Sequence, residues 1–472
     1  MRRKELPLLE KVEITDAGTE GNAVGRVDDM VVFVPYVVPG DVVDVKVFNR
    51  KKTFMEGRAV HLHKASEKRT DALCSHFGLC GGCKWQNMQY SAQLEFKQKQ
   101  VYDAMSRIGK FQVPQIEPII PSENVFHYRN KLEFTFCNKR WLMNGENMGD
   151  EPIQMNGLGF HLPGRFDRVL DLETCYLQPE PSNAIRLAVR DFTLQNAFTY
   201  QDMRNHKGLL RNLLIRNSSK GEVMVIVVFG EDNETERLRL MNFLKEEFPQ
   251  ITSLHYVINT KPNDSISDLD VHTFAGQAYI TEVMEDLNFR IGPKSFFQTN
   301  SHQALALYRL TRAFANLKPS DVVYDLYTGT GTIANFVAHN CSKVVGIEYV
   351  EAAVEDARIN SEQNQIQNTV FFAGDMAKVL TSDFIAEHGR PDVIITDPPR
   401  AGMHPKVIEQ MLEAMPNRIV YVSCNPATQA RDLTLLAEKY TVDRLQPVDM
   451  FPHTSHVENI ALLSLKPLES GV

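Results

Sequence analysis

The feature that most restricts this chain is a succession of short apolar segments in its last third, each closed by a turn of chemically capable residues. Val322 to Tyr327, Lys343 to Glu348, Val370 to Ala373, Val393 to Thr396 and Arg418 to Ser423 read as strands. Helix-like stretches, Ile333 to Asn340 and Ala352 to Asn364, separate the first three. Near-continuous apolar strands alternating with helices imply a parallel, doubly wound α/β sheet covered on both faces. Ligands of such sheets sit outside the carboxyl ends of the strands, so the residues after each strand carry the functional information.

The first strand ends in Asp325-Leu326-Tyr327-Thr328-Gly329-Thr330-Gly331-Thr332. Two glycines at a strand-to-helix turn allow close approach of a ligand to the backbone. Glu348, 17 residues beyond Gly331, ends the next strand, where a carboxylate can accept both hydroxyls of a ribose. The pair signals an adenosine cofactor, either a dinucleotide or S-adenosylmethionine. The full three-glycine dinucleotide fingerprint is missing, which lowers the first of these.

The fourth strand is followed by Asp397-Pro398-Pro399-Arg400, which places Asp397 at the ligand cleft. The fifth is followed by Ser423-Cys424-Asn425-Pro426. A cysteine in a turn beside that cleft is poorly placed for packing and well placed for attack, because a thiolate is accessible near neutral pH and strongly nucleophilic. C5 of uracil is too weak a nucleophile to take a sulfonium methyl unaided. A thiolate adding at C6 generates an enolate and makes C5 reactive. The C5 proton must then leave, and Glu458 in His456-Val457-Glu458-Asn459 is the candidate base. Upstream, Phe296-Phe297-Gln298-Thr299-Asn300 offers Gln298 for a cofactor hydrogen bond and Phe296 or Phe297 for stacking on a base.

Before the α/β region, residues 1 to about 63 hold five or so short segments rich in β-branched residues, punctuated by Gly21, Gly25, Pro39-Gly40 and Asn49. They suggest a small barrel of the oligonucleotide-binding kind. A helix is predicted from Ser91 to Gly109, and strands over Lys131 to Phe136, Leu213 to Asn217 and Val223 to Phe229. The resulting division is 1–63, 64–280 and 281–472. The N-terminus shows no apolar secretory segment and no stretch is long and apolar enough to span a membrane, so a cytoplasmic location is expected. Seven cysteines there are not read as disulfides. Cys74, Cys80 and Cys83 cluster, with Cys175 far downstream. Four thiolates suit zinc or a [4Fe–4S] cluster, and three together plus one distant lean to the latter. Net charge is −8, yet residues 46 to 110 hold 13 Lys/Arg against 5 Asp/Glu, an asymmetry that predicts a local phosphate-binding face.

Together these residues resemble the TrmA/RumA-type RNA uracil-C5-methyltransferases, specifically the 23S ribosomal RNA branch, over nearly the whole chain. Ser-Cys-Asn-Pro following Asp-Pro-Pro-Arg is the specific part. The resemblance implies a Rossmann-like class I methyltransferase domain, an N-terminal OB-like TRAM barrel that binds RNA, and a central mixed α/β domain bearing the cluster. It implies a [4Fe–4S] cluster on Cys74, Cys80, Cys83 and Cys175, and S-adenosylmethionine contacts from Gln298, Tyr327, Glu348 and Asp397, with Asp375 beside the adenine. It makes Cys424 the nucleophile and Glu458 the base. Thr328 stands where family members often carry Cys or Ser. The transfer-RNA branch usually lacks both barrel and cysteine cluster, so ribosomal RNA is the expected partner, and a monomer the expected state. The rivals are a transfer-RNA uridine methyltransferase, an RNA-binding assembly factor with a methyltransferase fold, and a radical enzyme. The radical reading suffers from a Cys-x5-Cys-x2-Cys spacing in place of Cys-x3-Cys-x2-Cys.

Overall fold

The computed structural model describes residues 6–143, 145–146 and 153–467. Residues 1–5, on which the reading of the N-terminus rests, and the last residues of the chain, 468–472, lie outside them. The chain forms two compact units. One comprises Met1–Leu73, Cys83–Val125 and Gln303–Val472; the other comprises Cys74–Gly82 and Phe126–His302.

In the first unit, strands Leu8–Ala17, Ala23–Val27, Met30–Val34, Val42–Arg50 and Phe54–Lys64 close into a barrel. Along Val42–Arg50 the alternation is strict. Val43, Val45 and Val47 are buried, and the residues between them face outward, as expected of a strand with one face on a barrel core.

The same unit contains a seven-stranded sheet. Its spatial order is Thr369–Ala373, Lys343–Glu348, Val322–Leu326, Val393–Thr396, Arg418–Ser423, Glu458–Leu465, Tyr440–Val448. The first five are parallel, and all five match the apolar segments of the sequence to within a residue. Glu458–Leu465 inserts antiparallel between Arg418–Ser423 and Tyr440–Val448. Val322–Leu326 lies between Lys343–Glu348 on one side and Val393–Thr396 on the other, so the strand order reverses there. That reversal is the switch point at which open α/β sheets take ligands.

Helix Tyr90–Ile108 packs on helix Pro426–Leu436 and braces the loop before Glu458. Lys97 Nζ lies 2.5 Å from Asp449 Oδ1, and both side chains are fully buried. Removing one member of such a pair alone costs about 3–5 kcal/mol, because it strands the other charge. This bears on the expected phosphate-binding stretch. Lys68 pairs with Glu95, Arg69 with Asp41, Lys97 with Asp449, Lys99 with Asp16 and Asp103, and Arg107 with Asp103. Five of the 13 cations over residues 46–110 are thus paired within the fold, mostly with carboxylates remote in sequence, and the remaining eight are in no ion pair among the described residues.

The second unit is built on another seven-stranded sheet. Its order is His272–Gly276, Ile251–Ile258, Val223–Phe229, Leu210–Asn217, Lys131–Cys137, Gly157–Leu162, Arg165–Asp171. Only Ile251–Ile258 and Val223–Phe229 pair in parallel. Helices Ser182–Gln195 and Glu234–Glu247 accompany it, with a hairpin of Ile280–Met284 and Leu287–Ile291. Among the described residues no helix is long and apolar enough to cross a membrane.

Candidate active site

The turn after Val322–Leu326 is held in a conformation that most side chains resist. Tyr327 has φ 65°, a strained state for a bulky residue that costs of order 1–3 kcal/mol. It is fixed because the N–H groups of Tyr327 and Thr328 both donate to Ile347 O, at 3.0 and 3.1 Å. Gly331, at φ 73°, caps helix Thr332–Ala338, and a Cβ there would lie 2.8 Å from Ala357 Cβ. Gly331 therefore allows the turn to pack closely on helix Glu351–Gln363, which carries Ala357. Gly329 is also left-handed, but a Cβ on it would meet nothing within 4 Å, so the turn faces open space at that point.

Glu348 is aimed by the same turn. Its Oε2 accepts from Gly329 N at 3.1 Å and its Oε1 from Val350 N at 3.0 Å. Each oxygen keeps acceptor capacity, which suits a vicinal diol. Asp325 is buried, and its Oδ2 accepts from the Thr328 hydroxyl at 2.5 Å. A serine at 328 would supply the same donor. Asp325 Oδ1 is buried with no protein partner, and burial raises this carboxyl to about 7. Asp375 is exposed and caps the short helix Met376–Val379 by accepting from Ala377 N. Gln298 belongs to the second unit, where it is buried and its carbonyl accepts from Asn130 Nδ2 at 2.9 Å. In the same segment Phe296 is 68% exposed and Phe297 is buried.

Sheet register brings two of the candidate catalytic residues together. Ser423 pairs with Asn459 across antiparallel strands, so the next residues out, Cys424 and Glu458, come level at the carboxyl edge. Gln429 locks this edge by donating to Tyr421 O and Asn459 O, while Asn459 Nδ2 donates back to Gln429 Oε1. Cys424 is half-buried. Its loop is tied to the Asp397–Arg400 turn, because Asn425 Nδ2 and Thr428 Oγ1 both donate to Arg400 O, at 3.1 and 3.2 Å.

The electrostatics are dominated by carboxylates. Burial pushes the Cys424 thiol up to about 11; Glu458 and Asp397 add to the shift, and the Arg400 guanidinium, hydrogen-bonded to the thiol, opposes it. Burial, and then Asp397, raise Glu458, again opposed by Arg400. Burial raises Asp397. Tyr308 is buried near Asp397, Asp325 and Glu458, and its phenol is raised by burial and by those charges. Low dielectric and two carboxyls thus work against the thiolate form of Cys424, and Arg400 works for it. Such a cluster favours a cationic ligand, as a sulfonium is.

Sequence reasoning quoted Arg400 and His456 but gave them no role. Arg400 Nη2 lies 3.3 Å from the His456 ring nitrogens, and Arg400 is the cation that faces the thiol. Its signal was the need for one positive group beside two carboxylates and a developing thiolate.

The cysteine cluster divides between the units. Cys74, Cys80 and Cys175 lie in the second and Cys83 in the first. The Cys175 thiol is pushed to about 11 by burial, with Cys80 and Cys74 adding to the shift, so these three are electrostatic neighbours. Asn183 braces Cys175 by accepting from its N–H and donating to its carbonyl. Among the described residues, no group of three or more His, Cys, Asp or Glu is drawn together as a metal centre.

The strand order, switch-point turn and aligned acid define a class I S-adenosylmethionine-dependent methyltransferase fold preceded by a barrel. The family described as tRNA (Uracil-5-)-methyltransferase matches residues 272–466, and the TRAM domain matches residues 10–60. An uncharacterized RNA methyltransferase of Bacteroides thetaiotaomicron is 56% identical over 95% of this chain and 99% of its own length. One from Chlorobaculum tepidum is 40% identical over 96% and 95%. The crystal structure of Pyrococcus abyssi tRNA (uracil-54, C5)-methyltransferase with S-adenosyl-L-homocysteine superposes with a TM-score of 0.75 at 27% identity, covering 96% of this chain and all of that one. The chain belongs to the tRNA (uracil-5-)-methyltransferase family of RNA methyltransferases and carries a TRAM domain.

Proposed function

We propose that this chain methylates C5 of a uridine in 23S ribosomal RNA through a covalent adduct between Cys424 and C6. The observation that carries the reading is the register that sets Cys424 level with Glu458 beside Asp397 and Arg400. The target uridine leaves its stack to enter the cleft. Cys424 gives up its proton to solvent, with Arg400 stabilising the thiolate, and sulfur bonds to C6 as the C5–C6 π pair moves to form the enolate. S-adenosylmethionine, held by Gln298, Tyr327, Glu348 and Asp397 with Asp375 toward the adenine, supplies an electrophilic methyl group. Glu458 takes the C5 proton, the C6–S bond breaks, and the thiolate recovers a proton. The unpartnered Asp325 Oδ1 and the open face of Gly329 fit a bound cofactor.

Three modules serve this chemistry: residues 1–63 for RNA, 64–280 with the cysteines, and 281–472 for methyl transfer. Cys74, Cys80, Cys83 and Cys175 would hold a [4Fe–4S] cluster, and the neighbouring thiols of Cys74, Cys80 and Cys175 support this. Thiolate ligands need a cation to remain deprotonated when buried, and the cluster would tie chain segments together.

Two results test the reading. Replacing Glu348 by Ala should weaken S-adenosylhomocysteine binding about 10- to 100-fold by calorimetry, the range for losing hydrogen bonds to a charged group; unchanged affinity would remove Glu348 from the cofactor site. Mapping 5-methyluridine in a strain lacking the gene should show loss from 23S ribosomal RNA. Loss from transfer RNA alone would establish the second reading, which the P. abyssi enzyme's substrate favours.

A further inference from the structure

We propose that the second unit carries a groove of its own for a single-stranded segment of the RNA, remote in sequence from the residues assigned to chemistry. The proposal deepens the function proposed above and rests on it for the nature of the ligand.

A cavity of about 910 Å³ opens between the turn joining Gly157–Leu162 to Arg165–Asp171 and the loop before Leu210–Asn217. This is the size of established ligand clefts. Its lining includes Arg165 and Phe166, the first residues of strand Arg165–Asp171, and Arg204 and His206 from the loop. Phe166 is 66% exposed, a large apolar ring held in water. The Arg204 guanidinium lies 5.9 Å from its centroid, and that of Arg165 lies 5.7 Å from the Trp141 ring. Arginine beside an exposed ring is the composition of surfaces that take stacked bases along a phosphate backbone.

The charge balance points the same way. Asp167, next to Phe166 in the chain, is taken up by Arg204, and Asp264, which lines the cavity, by Arg211. Arg165 has no carboxylate partner among the described residues. At the floor, Gln201 is 2% exposed, and its Oε1 is buried without a partner, as is Nδ1 of His161. Both line the cavity. A buried amide oxygen and an imidazole nitrogen are suited to the N–H and acceptor pattern of a base edge, whereas a small anion would leave the amide oxygen unmatched and the ring uncovered. The turn itself is propped from behind by the cysteine loop, since a Cβ at Gly81 would fall 2.6 Å from Pro163 Cγ. The geometry that aims Arg165 and Phe166 therefore depends on the segment that carries Cys74 and Cys80.

The test uses the full chain and a fluorescein-labelled oligouridylate of about 12 nucleotides, within the span of single-strand sites, read by anisotropy across a salt series. Phe166→Ala should weaken binding about tenfold, the size of a lost base stack. Arg165→Ala should lower the slope of log affinity against log salt by about 0.7, one phosphate contact on a single strand, and Arg165→Lys should restore it. Both residues are exposed, and S-adenosylhomocysteine affinity, expected to be unchanged, reports that the variants fold. Wild-type affinity and slope in both alanine variants would overturn the groove, as would displacement of the RNA by polyglutamate at equal charge, which would make the site one for acidic peptide. Methyl transfer from labelled S-adenosylmethionine by the unaltered chain separates the two failures: its absence would overturn the proposed function, while the binding comparison decides the groove in either case.

Discussion

Replacing Cys424 by Ala is expected to abolish methyl transfer, with a fall of about 10⁴-fold or more, while S-adenosylhomocysteine affinity stays within about threefold of the unaltered protein. The size follows from the role. A nucleophile that makes C5 reactive cannot be replaced by positioning, and removing such a group forfeits the covalent route entirely. Cofactor binding should survive because the turn that aims Glu348 is anchored on Ile347, not on the cysteine loop. The alanine variant should also fold, since Cys424 is half-buried and the edge it sits on is locked by Gln429 and Asn459. The thiol's position among carboxylates adds a pH signature. Its pKa is raised to about 11, so kcat/KM of the unaltered enzyme should climb with pH above neutrality as the attacking thiolate becomes accessible. Retained turnover in the alanine variant, measured by tritium transfer to RNA, would eliminate the covalent scheme.

The parallel strands of the methyltransferase sheet are legible in the sequence because each is buried on both faces and so is written as an unbroken apolar run. Glycine turn, acid and cysteine are legible because they follow those runs at the edge where such sheets bind ligands. The juxtaposition of Cys424 with Glu458 is not legible. It depends on Glu458–Leu465 threading antiparallel between two neighbours, a pairing fixed by tertiary packing, and on the partly exposed, proline-bearing strand Tyr440–Val448 beyond it. The pairing of individual cations is not legible for the same reason. Lys97 and Lys99 look available for phosphate until Asp449 and Asp16, remote in sequence, fold onto them. The environment of the thiol is not legible either, because the burial and the carboxyls of Glu458 and Asp397 that raise it come from segments remote in sequence. The exposed arginines of the second unit had no signal at all, since Arg165 and Arg204 reach one groove only through a hairpin turn and a loop some forty residues apart.

Replacing Glu458 by Gln is expected to slow turnover about 10²- to 10⁴-fold, the range for loss of a general base, and to do so at a particular step. Glutamine keeps the volume and hydrogen-bonding reach of the side chain but cannot accept the C5 proton. In the proposed scheme attack by Cys424 and methyl transfer precede that step, so the methylated RNA should accumulate bound through sulfur, visible as a protein–RNA species that survives denaturing electrophoresis. The variant should be somewhat more stable than the unaltered protein in the absence of ligands. Glu458 is buried beside Asp397, and its folded pKa lies above its unfolded value of about 4.3. A group raised in this way stabilises the fold below its unfolded pKa and loses that contribution as pH rises through the folded one. Neutral Gln removes the penalty, so the gain in melting temperature should be present at pH 8 and should shrink toward pH 5. If turnover is unchanged and no adduct appears, the proton goes elsewhere, and Asp397, the other buried carboxyl beside Cys424, becomes the acceptor to test.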